Sequence, residues 1–355
     1  MAAAVVRGNR TVALGAAGIR RRGSPEKVAL DDRFHIGSCT KAMTATLCAM
    51  LVEEGKLSWK TTLAHAFPEL AGKMNAEFRS VTLEQLLTHR GGMPEDLNRD
   101  GLWQRLRQYR GAPPGARQLL LEGVVAEPPV AKPGTKFLYS NAGFAIAGHI
   151  AERTAGKPWE ELMRERLFRP LGMATAGFGA PGRKEVVDEP RGHTAAGKPI
   201  DPGASADNPV AIGPAGIVHC SLADCAKFVA LHLRGDQGDA RLLKPATFKK
   251  LHAPAAGEAE GYAMGWSVTK RDWGDGVVLT HSGSNTLWFA VTWVAPKRDF
   301  AVLVACNQGG KAAEKACDEA SWQLIREFLF QGKHGSVEGL TEPEIDELVE
   351  FVLSL

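Results

Sequence analysis

Strand-like patterns stand at both ends of this 355-residue chain, and helical patterns fill its middle. Near the start, two short apolar runs flank a polar turn, which is typical of a β-hairpin. Late in the chain, four runs rich in β-branched and aromatic residues predict an antiparallel meander. The predicted strands cover residues 2–6, 11–16, 263–268, 277–280, 287–294 and 300–306. We therefore predict an α/β (α+β) fold, with an antiparallel sheet of N- and C-terminal strands flanked by helices and an inserted, mostly α domain.

The middle of the chain carries helix signals, some with clear caps. Thr82 with Gln85 three residues later predicts a capping box, and Ser221 with Asp224 predicts a similar start. The predicted helices span residues 42–54, 82–88, 102–109, 117–126, 142–154, 158–168, 222–234 and 312–330. Glycine and proline are dense over residues 177–216, so we predict a long surface loop there that acts as a lid or faces the substrate.

We divide the chain into three parts on these patterns. Residues 1–60 and 217–335 form the sheet domain, residues 61–216 form a mostly helical domain, and residues 336–355 form a C-terminal helical tail. The tail carries one apolar stripe at helical spacing, made of Ile345, Leu348, Val349, Val352 and Leu353.

Composition narrows the classes of function. A hydrophobic fraction of 44% and a charged fraction of 23% are ordinary for a globular protein. The net charge is only +3 and the basic residues are scattered, which disfavours nucleic acid as a partner. No run approaches the roughly 18 apolar residues of a membrane span. The first residues lack the pattern of a signal peptide, so the localisation stays open between the cytoplasm and an exported protein trimmed at its start.

The cysteines give no sign of a metal site. The six of them fit no zinc-binding spacing such as Cys-x-x-Cys. His219 with Cys220 and Cys225 is more simply explained by residues at a helix start and in the core. We therefore expect neither a metal nor a cofactor.

Ser38 and Lys41 stand where an apolar strand turns into the helix predicted over 42–54. Residues three apart on a helix share one face, with Cβ atoms roughly 5–6 Å apart. A hydroxyl facing an amine at this spacing suits activation of a serine nucleophile, although Ser-x-x-Lys alone is more often a serine helix cap with a solvated lysine nearby. The remaining motifs decide between these interpretations.

Two further short elements follow the first. The three are, in chain order, Ser38-Cys39-Thr40-Lys41, Tyr139-Ser140-Asn141 and His281-Ser282-Gly283-Ser284. Their order and spacing resemble the serine β-lactamase and penicillin-binding-protein superfamily, in particular its class C-like branch, which also holds D-aminopeptidase-like and carboxylesterase-like members. The flanking stretches extend the resemblance over roughly residues 1 to 330.

The resemblance implies a role for each of these residues. Ser38 is the nucleophile, and either Lys41 or Tyr139 is the general base; the sequence leaves this choice open. Asn141 is expected to hold Lys41 and a substrate carbonyl. The backbone N–H groups of Ser38 and Ser284 form the oxyanion hole, and Gly283 lets the strand lie close to the substrate.

The third motif departs from the family pattern. Many relatives place Lys-Thr-Gly where this chain has His281-Ser282-Gly283. Because a histidine is mostly neutral at pH 7, we expect capture of an anionic substrate through His281 to be weaker and pH-dependent. We predict a serine hydrolase acting on an ester or a small D-amino amide. The alternatives are a β-lactamase, a D-Ala-D-Ala carboxypeptidase-type penicillin-binding protein, and a non-catalytic penicillin-recognition or sensor module.

Partners follow from the same interpretation. We expect a small-molecule ester, amide or β-lactam as the substrate. Two alternatives stay open for the tail 336–355: its stripe packs where relatives carry an N-terminal helix, or it is buried in a second subunit and makes the protein a homo-oligomer.

Overall fold

The computed structural model describes residues 1–238, 242–255 and 258–330. These residues contain twelve strands, numbered in chain order: β1 Ala2–Arg7, β2 Arg10–Ala16, β3 Phe34–His35, β4 Gly177–Phe178, β5 Gly192–His193, β6 Pro199–Ile200, β7 Val218–Cys220, β8 Gly261–Tyr262, β9 Ser267–Arg271, β10 Gly276–Ser284, β11 Phe289–Ala295 and β12 Phe300–Cys306. Seven of them form one antiparallel sheet in the order β2-β1-β12-β11-β10-β9-β8. The first strand therefore pairs with the last, as the predicted fold requires.

The same described residues hold twelve α-helices: α1 Thr40–Glu53, α2 Leu63–Ala66, α3 Leu83–Leu87, α4 Leu102–Gln108, α5 Pro113–Val125, α6 Asn141–Ala155, α7 Trp159–Met163, α8 Arg169–Leu171, α9 Gly213–Gly216, α10 Leu222–Arg234, α11 Pro245–Leu251 and α12 Lys311–Ile325. A π-helical turn, Arg164–Phe168, joins α7 to α8, so this helix continues past its predicted end.

The core lies in two layers because side chains alternate between the faces of a strand. On one face of the sheet, Val5, Val302 and Val304 pack with residues of α12. On the other face, alternate residues such as Val6 and Leu303 pack with α10 and α1 in the larger cluster. Helix α1 lies inside the molecule, with every residue from Thr40 to Leu51 buried. This central position agrees with the absence of charged side chains from residues 42–51 of this helix.

Several predictions are confirmed and some are wrong. Both side chains of the Thr82–Gln85 capping box make their hydrogen bonds, and the Ser221 side chain accepts from the N–H of Asp224. Helix α5 begins at Pro113 rather than at residue 117, because a proline suits the first turn of a helix, where its missing N–H is not needed. Of the strand predicted over 263–268, only residues 267 and 268 lie in a strand, β9, and residues 263–266 form the connection from β8 to β9.

The prediction of a surface loop over residues 177–216 is wrong at its C-terminal end. The segment includes the short strands β4, β5 and β6, but residues 211–216 are buried beneath α5 and α6. The apolar side chains of Ala211 and Ile212 and the close packing of Gly213 explain the burial. The segment therefore contributes to the interior of the molecule.

The domain boundaries and the C-terminal tail remain predictions. The division at residues 60 and 217 stays a prediction, and the tail 336–355 lies outside the described residues. In the described part of the chain, no helix is both long and apolar enough to span a bilayer. All six cysteines fall within the described residues, and each is free.

Candidate active site

Ser38 lies on a single 3₁₀ turn, Gly37–Cys39, between β3 and the start of α1. Gly37 has a positive φ of 49°, and a Cβ atom there would lie 2.4 Å from the backbone nitrogen of Ser284. A residue with a side chain would be strained in this conformation and would also collide with β10. The turn therefore brings the backbone of Ser38 directly against the end of β10.

Lys41 is fully buried one helical turn after Ser38. Its Nζ lies 3.0 Å from the Oγ of Ser38, 2.8 Å from the Oδ1 of Asn141 and 2.9 Å from the carbonyl oxygen of Ala215. Burial lowers the pKa of Lys41 to about 7, against a small opposing effect of Cys39.

Three partners around Lys41 suit both of its protonation states. The neutral amine has two N–H groups and one lone pair, so it can donate to Asn141 and Ala215 while accepting the proton of Ser38. The ammonium has three N–H groups, and all three oxygen atoms then accept. Lys41 can thus take up one proton while its amine keeps the same three neighbours.

Tyr139 is the second side chain that contacts the hydroxyl of Ser38. Its hydroxyl lies 2.9 Å from the Oγ of Ser38. Burial raises the pKa of Tyr139 to about 12, and the hydrogen bond to Ser38 offsets only part of this. The phenol therefore stays protonated at neutral pH and donates its hydrogen bond to Ser38.

His89 places the segment that carries Tyr139. Its carbonyl oxygen accepts from the N–H of Leu138, and its Nδ1 accepts from the N–H of Ser140 at 3.1 Å. His89 has a φ of +56°, uncommon for a residue with a side chain, and its ring lies 4.4 Å from that of Tyr139. Burial lowers the pKa of His89 far below its ordinary value, so the ring stays neutral.

The third motif lies at the end of β10. This strand pairs with β9 only up to Thr280, while its pairing with β11 continues to Ser284. A Cβ atom on Gly283 would lie 2.1 Å from the carbonyl oxygen of Ile36 and 2.5 Å from the nitrogen of Ser38. Glycine is therefore required for the contact between this strand and the turn of Ser38.

His281 is buried and has partners for both ring nitrogens. Its Nδ1 lies 2.6 Å from the carbonyl oxygen of Ser282, and its Nε2 lies 2.9 Å from the hydroxyl of Tyr262. The carbonyl can only accept, so Nδ1 carries the proton and the Tyr262 hydroxyl donates to Nε2.

The expected pH-dependent capture of an anion by His281 is not supported. Burial, reinforced by the charge of Lys41, lowers the pKa of His281 to about 3. The ring therefore carries no charge near neutral pH and does not titrate there. At this position the site presents an uncharged imidazole tied to a tyrosine.

The structure brings all the predicted site residues together. Ser38, Lys41, Tyr139 and Asn141 are joined by direct hydrogen bonds, and the segment holding His281, Gly283 and Ser284 packs against the turn of Ser38.

Sequence reasoning missed three contributors to the site. The carbonyl of Ala215 carries no side-chain signal, and a single histidine such as His89 does not by itself indicate a functional site. Tyr262 offered a signal, because it is one of only three tyrosines and lies beside a predicted strand. Within the described residues, no group of three or more His, Cys, Asp or Glu side chains is arranged to hold a metal ion.

Comparisons with known proteins agree on one family. The family model described as Beta-lactamase matches residues 1–325. Penicillin-binding protein 4 of Amycolatopsis lactamdurans is 30% identical over 344 residues, which is 93% of this chain and 84% of that protein. Lovastatin esterase of Penicillium rubens is 30% identical over 195 residues, covering 51% of this chain and 47% of that one.

A solved structure shares the fold. The class C beta-lactamase of Rhodobacter sphaeroides superposes with a TM-score of 0.73, over 92% of this chain and 94% of that chain. At 21% identity, this likeness bears on the fold alone.

Proposed function

The chain belongs to the beta-lactamase family, and on that premise we propose that it is a serine hydrolase that cleaves an ester or a small D-amino amide through a covalent acyl-enzyme on Ser38. One observation carries the proposal: the Oγ of Ser38 lies 3.0 Å from the Nζ of Lys41 and 2.9 Å from the hydroxyl of Tyr139. A serine hydroxyl becomes a strong nucleophile only when a neighbouring base takes its proton.

Lys41 is the general base in this proposal. With a pKa of about 7, a large share of its amine is neutral at neutral pH, whereas the pKa of Tyr139, about 12, keeps the phenol protonated. The proton of Ser38 moves to Lys41 as Oγ forms its bond to the substrate carbonyl carbon. The Tyr139 hydroxyl meanwhile donates a hydrogen bond to Oγ and stabilises the charge that develops there.

The carbonyl oxygen of the substrate becomes an oxyanion in this step. We assign its stabilisation to the backbone N–H groups of Ser38 and Ser284, and the close contact that Gly37 and Gly283 allow between the two segments supports this role. Preorganised donors of this kind are each worth about 10²- to 10³-fold in kcat. The tetrahedral intermediate then expels the alcohol or amine, which takes up the proton held by the Lys41 ammonium, and Lys41 becomes neutral again.

Deacylation reverses these roles. A water molecule attacks the acyl carbon, Lys41 takes a proton from it, and the Oγ of Ser38 leaves and is reprotonated. The enzyme therefore returns to its starting protonation state, and the released acid loses its own proton to the solvent. The neutral and charged states of Lys41 have the same three neighbours in both half-reactions.

The third motif favours a substrate without a carboxylate. A lysine there would be a permanent cation for a carboxylate, but His281 is neutral and its Nε2 accepts from Tyr262. We therefore place esters and D-amino amides ahead of β-lactams and D-Ala-D-Ala peptides, whose recognition relies on their carboxylates. The relative named Lovastatin esterase is consistent with this order, and the one named Penicillin-binding protein 4 supports the alternative.

A substrate panel tests the proposal. We expect kcat/KM for p-nitrophenyl acetate and butyrate, or for D-alanine p-nitroanilide, to exceed that for nitrocefin, and Ser38→Ala to abolish each activity. Nitrocefin turnover far above ester and amide turnover would instead assign a β-lactamase. An acylation burst without steady-state turnover would assign the sensor module.

A further inference from the structure

Residues 206–208 contact three separate parts of the proposed site. They lie in the stretch that its glycine and proline content predicts to be a surface loop, yet Ala206 is fully buried and Asp207 is 11% exposed. Their hydrogen bonds run to residues next to each reacting group.

The first contact runs through His35 to the turn of Ser38. The Nδ1 of His35 accepts from the N–H of Gly37 at 3.1 Å, so its ring proton is on Nε2. Nε2 donates to the Oδ1 of Asp207 at 2.9 Å. His35 is completely buried and stacks on Trp288 at 5.6 Å, so the carboxylate of Asp207 sets which way the ring, and with it the Gly37 peptide, faces.

The second contact reaches the other half of the oxyanion hole. Asn285, the residue after Ser284, is buried and donates from Nδ2 to the carbonyl oxygen of Ala206 at 3.1 Å. Its Oδ1 accepts from the N–H groups of Leu287 and Trp288. The side chain of Asn285 therefore joins the end of β10 to residue 206.

The third contact supports Lys41. Asn208 donates from Nδ2 to the carbonyl oxygen of Gly216 at 3.0 Å. The preceding residue, Ala215, gives its carbonyl oxygen to Lys41. Residues 206–208 thus hold both donor segments of the oxyanion hole. They also hold the Ala215 peptide, whose carbonyl oxygen accepts a hydrogen bond from Lys41.

We propose that Asp207 is a positioning residue for this reaction. Its carboxylate, through His35 and together with Ala206 and Asn208, holds the Ser38 turn, the end of β10 and the Ala215 carbonyl in one arrangement. This inference rests on the proposed function, since it assumes chemistry at Ser38. A misplacement of about 1 Å in such a constellation costs about 10²-fold in rate.

The experiment compares Asp207→Ala with Asp207→Asn in the full chain. The asparagine keeps an Oδ1 acceptor for His35 and for the N–H of Asn208, and the alanine does not. Using p-nitrophenyl acetate and active sites counted by fluorophosphonate titration, we expect Asp207→Ala to lower kcat about 10- to 100-fold with KM within about threefold. Asp207→Asn is expected to recover most of this loss.

Phenylboronic acid gives a second readout. It forms a tetrahedral adduct on a catalytic serine, so its Ki reports the oxyanion hole directly. We expect Ki to weaken in Asp207→Ala by a factor similar to the loss in kcat. The matched control is Asp224→Ala, which removes a carboxylate that is more deeply buried than that of Asp207 and is bonded to Thr175 and Lys227. It should lower the melting temperature and leave kcat and Ki per active site unchanged.

Several results would overturn the inference. These are a kcat per active site within twofold of wild type in Asp207→Ala, an unchanged Ki, and a loss in Asp207→Asn as large as that in Asp207→Ala. If Asp207→Ala fails to fold, Asn208→Ala tests the same segment through its bond to Gly216, and an unchanged kcat there overturns the inference as well. Activity that survives in Ser38→Ala would refute the proposed function instead.

Discussion

At the scale of single residues, Lys41 links burial to chemistry. Its ammonium is surrounded by protein, and its pKa of about 7 reflects mainly the loss of hydration. A lysine with its ordinary pKa would be charged at pH 7 and unable to take a proton from Ser38. The burial of α1 is therefore also the reason that Lys41 can act as a base.

The rate of ester hydrolysis should follow the ionisation of Lys41. The protonated form is inactive, so we expect kcat/KM to be low at acidic pH and to rise with a midpoint near pH 7. His281, with a pKa of about 3, should add no second transition between pH 5 and 8. The measurement is kcat/KM for p-nitrophenyl acetate from pH 5 to pH 10, corrected for spontaneous hydrolysis. A flat profile, or a rise only near pH 10, would contradict Lys41 as the base.

The sequence could predict the nearness of Ser38 and Lys41 because it is local to one helix. It could not decide between Lys41 and Tyr139 as the base. The pKa of Lys41 depends on its burial, and the residues that surround its amine, such as Asn141 and Ala215, are distant in sequence. The same limit explains His281, whose neutrality comes from burial and from the charge of Lys41.

At the scale of elements, the site depends on β10 lying against the turn before α1. The sequence predicts a strand only over residues 277–280, because the following serines and glycine have low strand propensity. Pairing with β11 nevertheless carries the strand on to Ser284. Tertiary contacts thus extend the strand by the residues that complete the site.

Gly283→Ala tests this contact. The added Cβ would meet the carbonyl oxygen of Ile36 at 2.1 Å and the nitrogen of Ser38 at 2.5 Å, so one of the two segments must move. We expect kcat for p-nitrophenyl acetate to fall about 10²- to 10³-fold, the usual loss for one oxyanion donor. The control is Gly72→Ala, where a Cβ meets nothing within 4 Å and activity should be unchanged. Full activity in Gly283→Ala would refute the close packing.

At the scale of the whole molecule, the sheet pairs a strand near the start of the chain with a strand near residue 300. The site is assembled from several stretches that are far apart in sequence. The strand patterns were enough to predict this sheet, since β1 pairs with β12 as expected. The burial of residues 211–216 was not predictable from their glycines and proline. It depends on packing against α5 and α6, which local patterns do not report.

A buried charge cluster holds that helical region together. All the N–H groups of Arg117 on α5 are used: they contact Glu152 on α6, Glu160 on α7 and the carbonyl oxygen of Val210. Burial alone would raise the pKa of Glu152, but hydrogen bonds from His149 and Arg117 hold it below its ordinary value. Removing the arginine would leave buried carboxylates without their cation.

Arg117→Leu should therefore destabilise the protein by about 3–5 kcal/mol at pH 7, measured by urea unfolding. Glu152 then loses a partner that lowers its pKa, so it takes up a proton more easily in the folded variant. The deficit relative to wild type should accordingly shrink as the pH falls from 7 towards 4. The control is Arg153→Leu, which breaks an exposed pair with Glu69 and should cost about 1 kcal/mol or less. Equal losses in the two variants would contradict the role of the buried cluster.

The central claim is that the acyl group is carried by Ser38. The most direct measurement is acid quenching during turnover of p-nitrophenyl butyrate, followed by mass spectrometry of the intact protein and its peptides. We expect one butyryl group per chain, located on Ser38 and missing from Ser38→Ala, which is also inactive. A butyryl group on another residue, or turnover that persists in Ser38→Ala, would contradict the account.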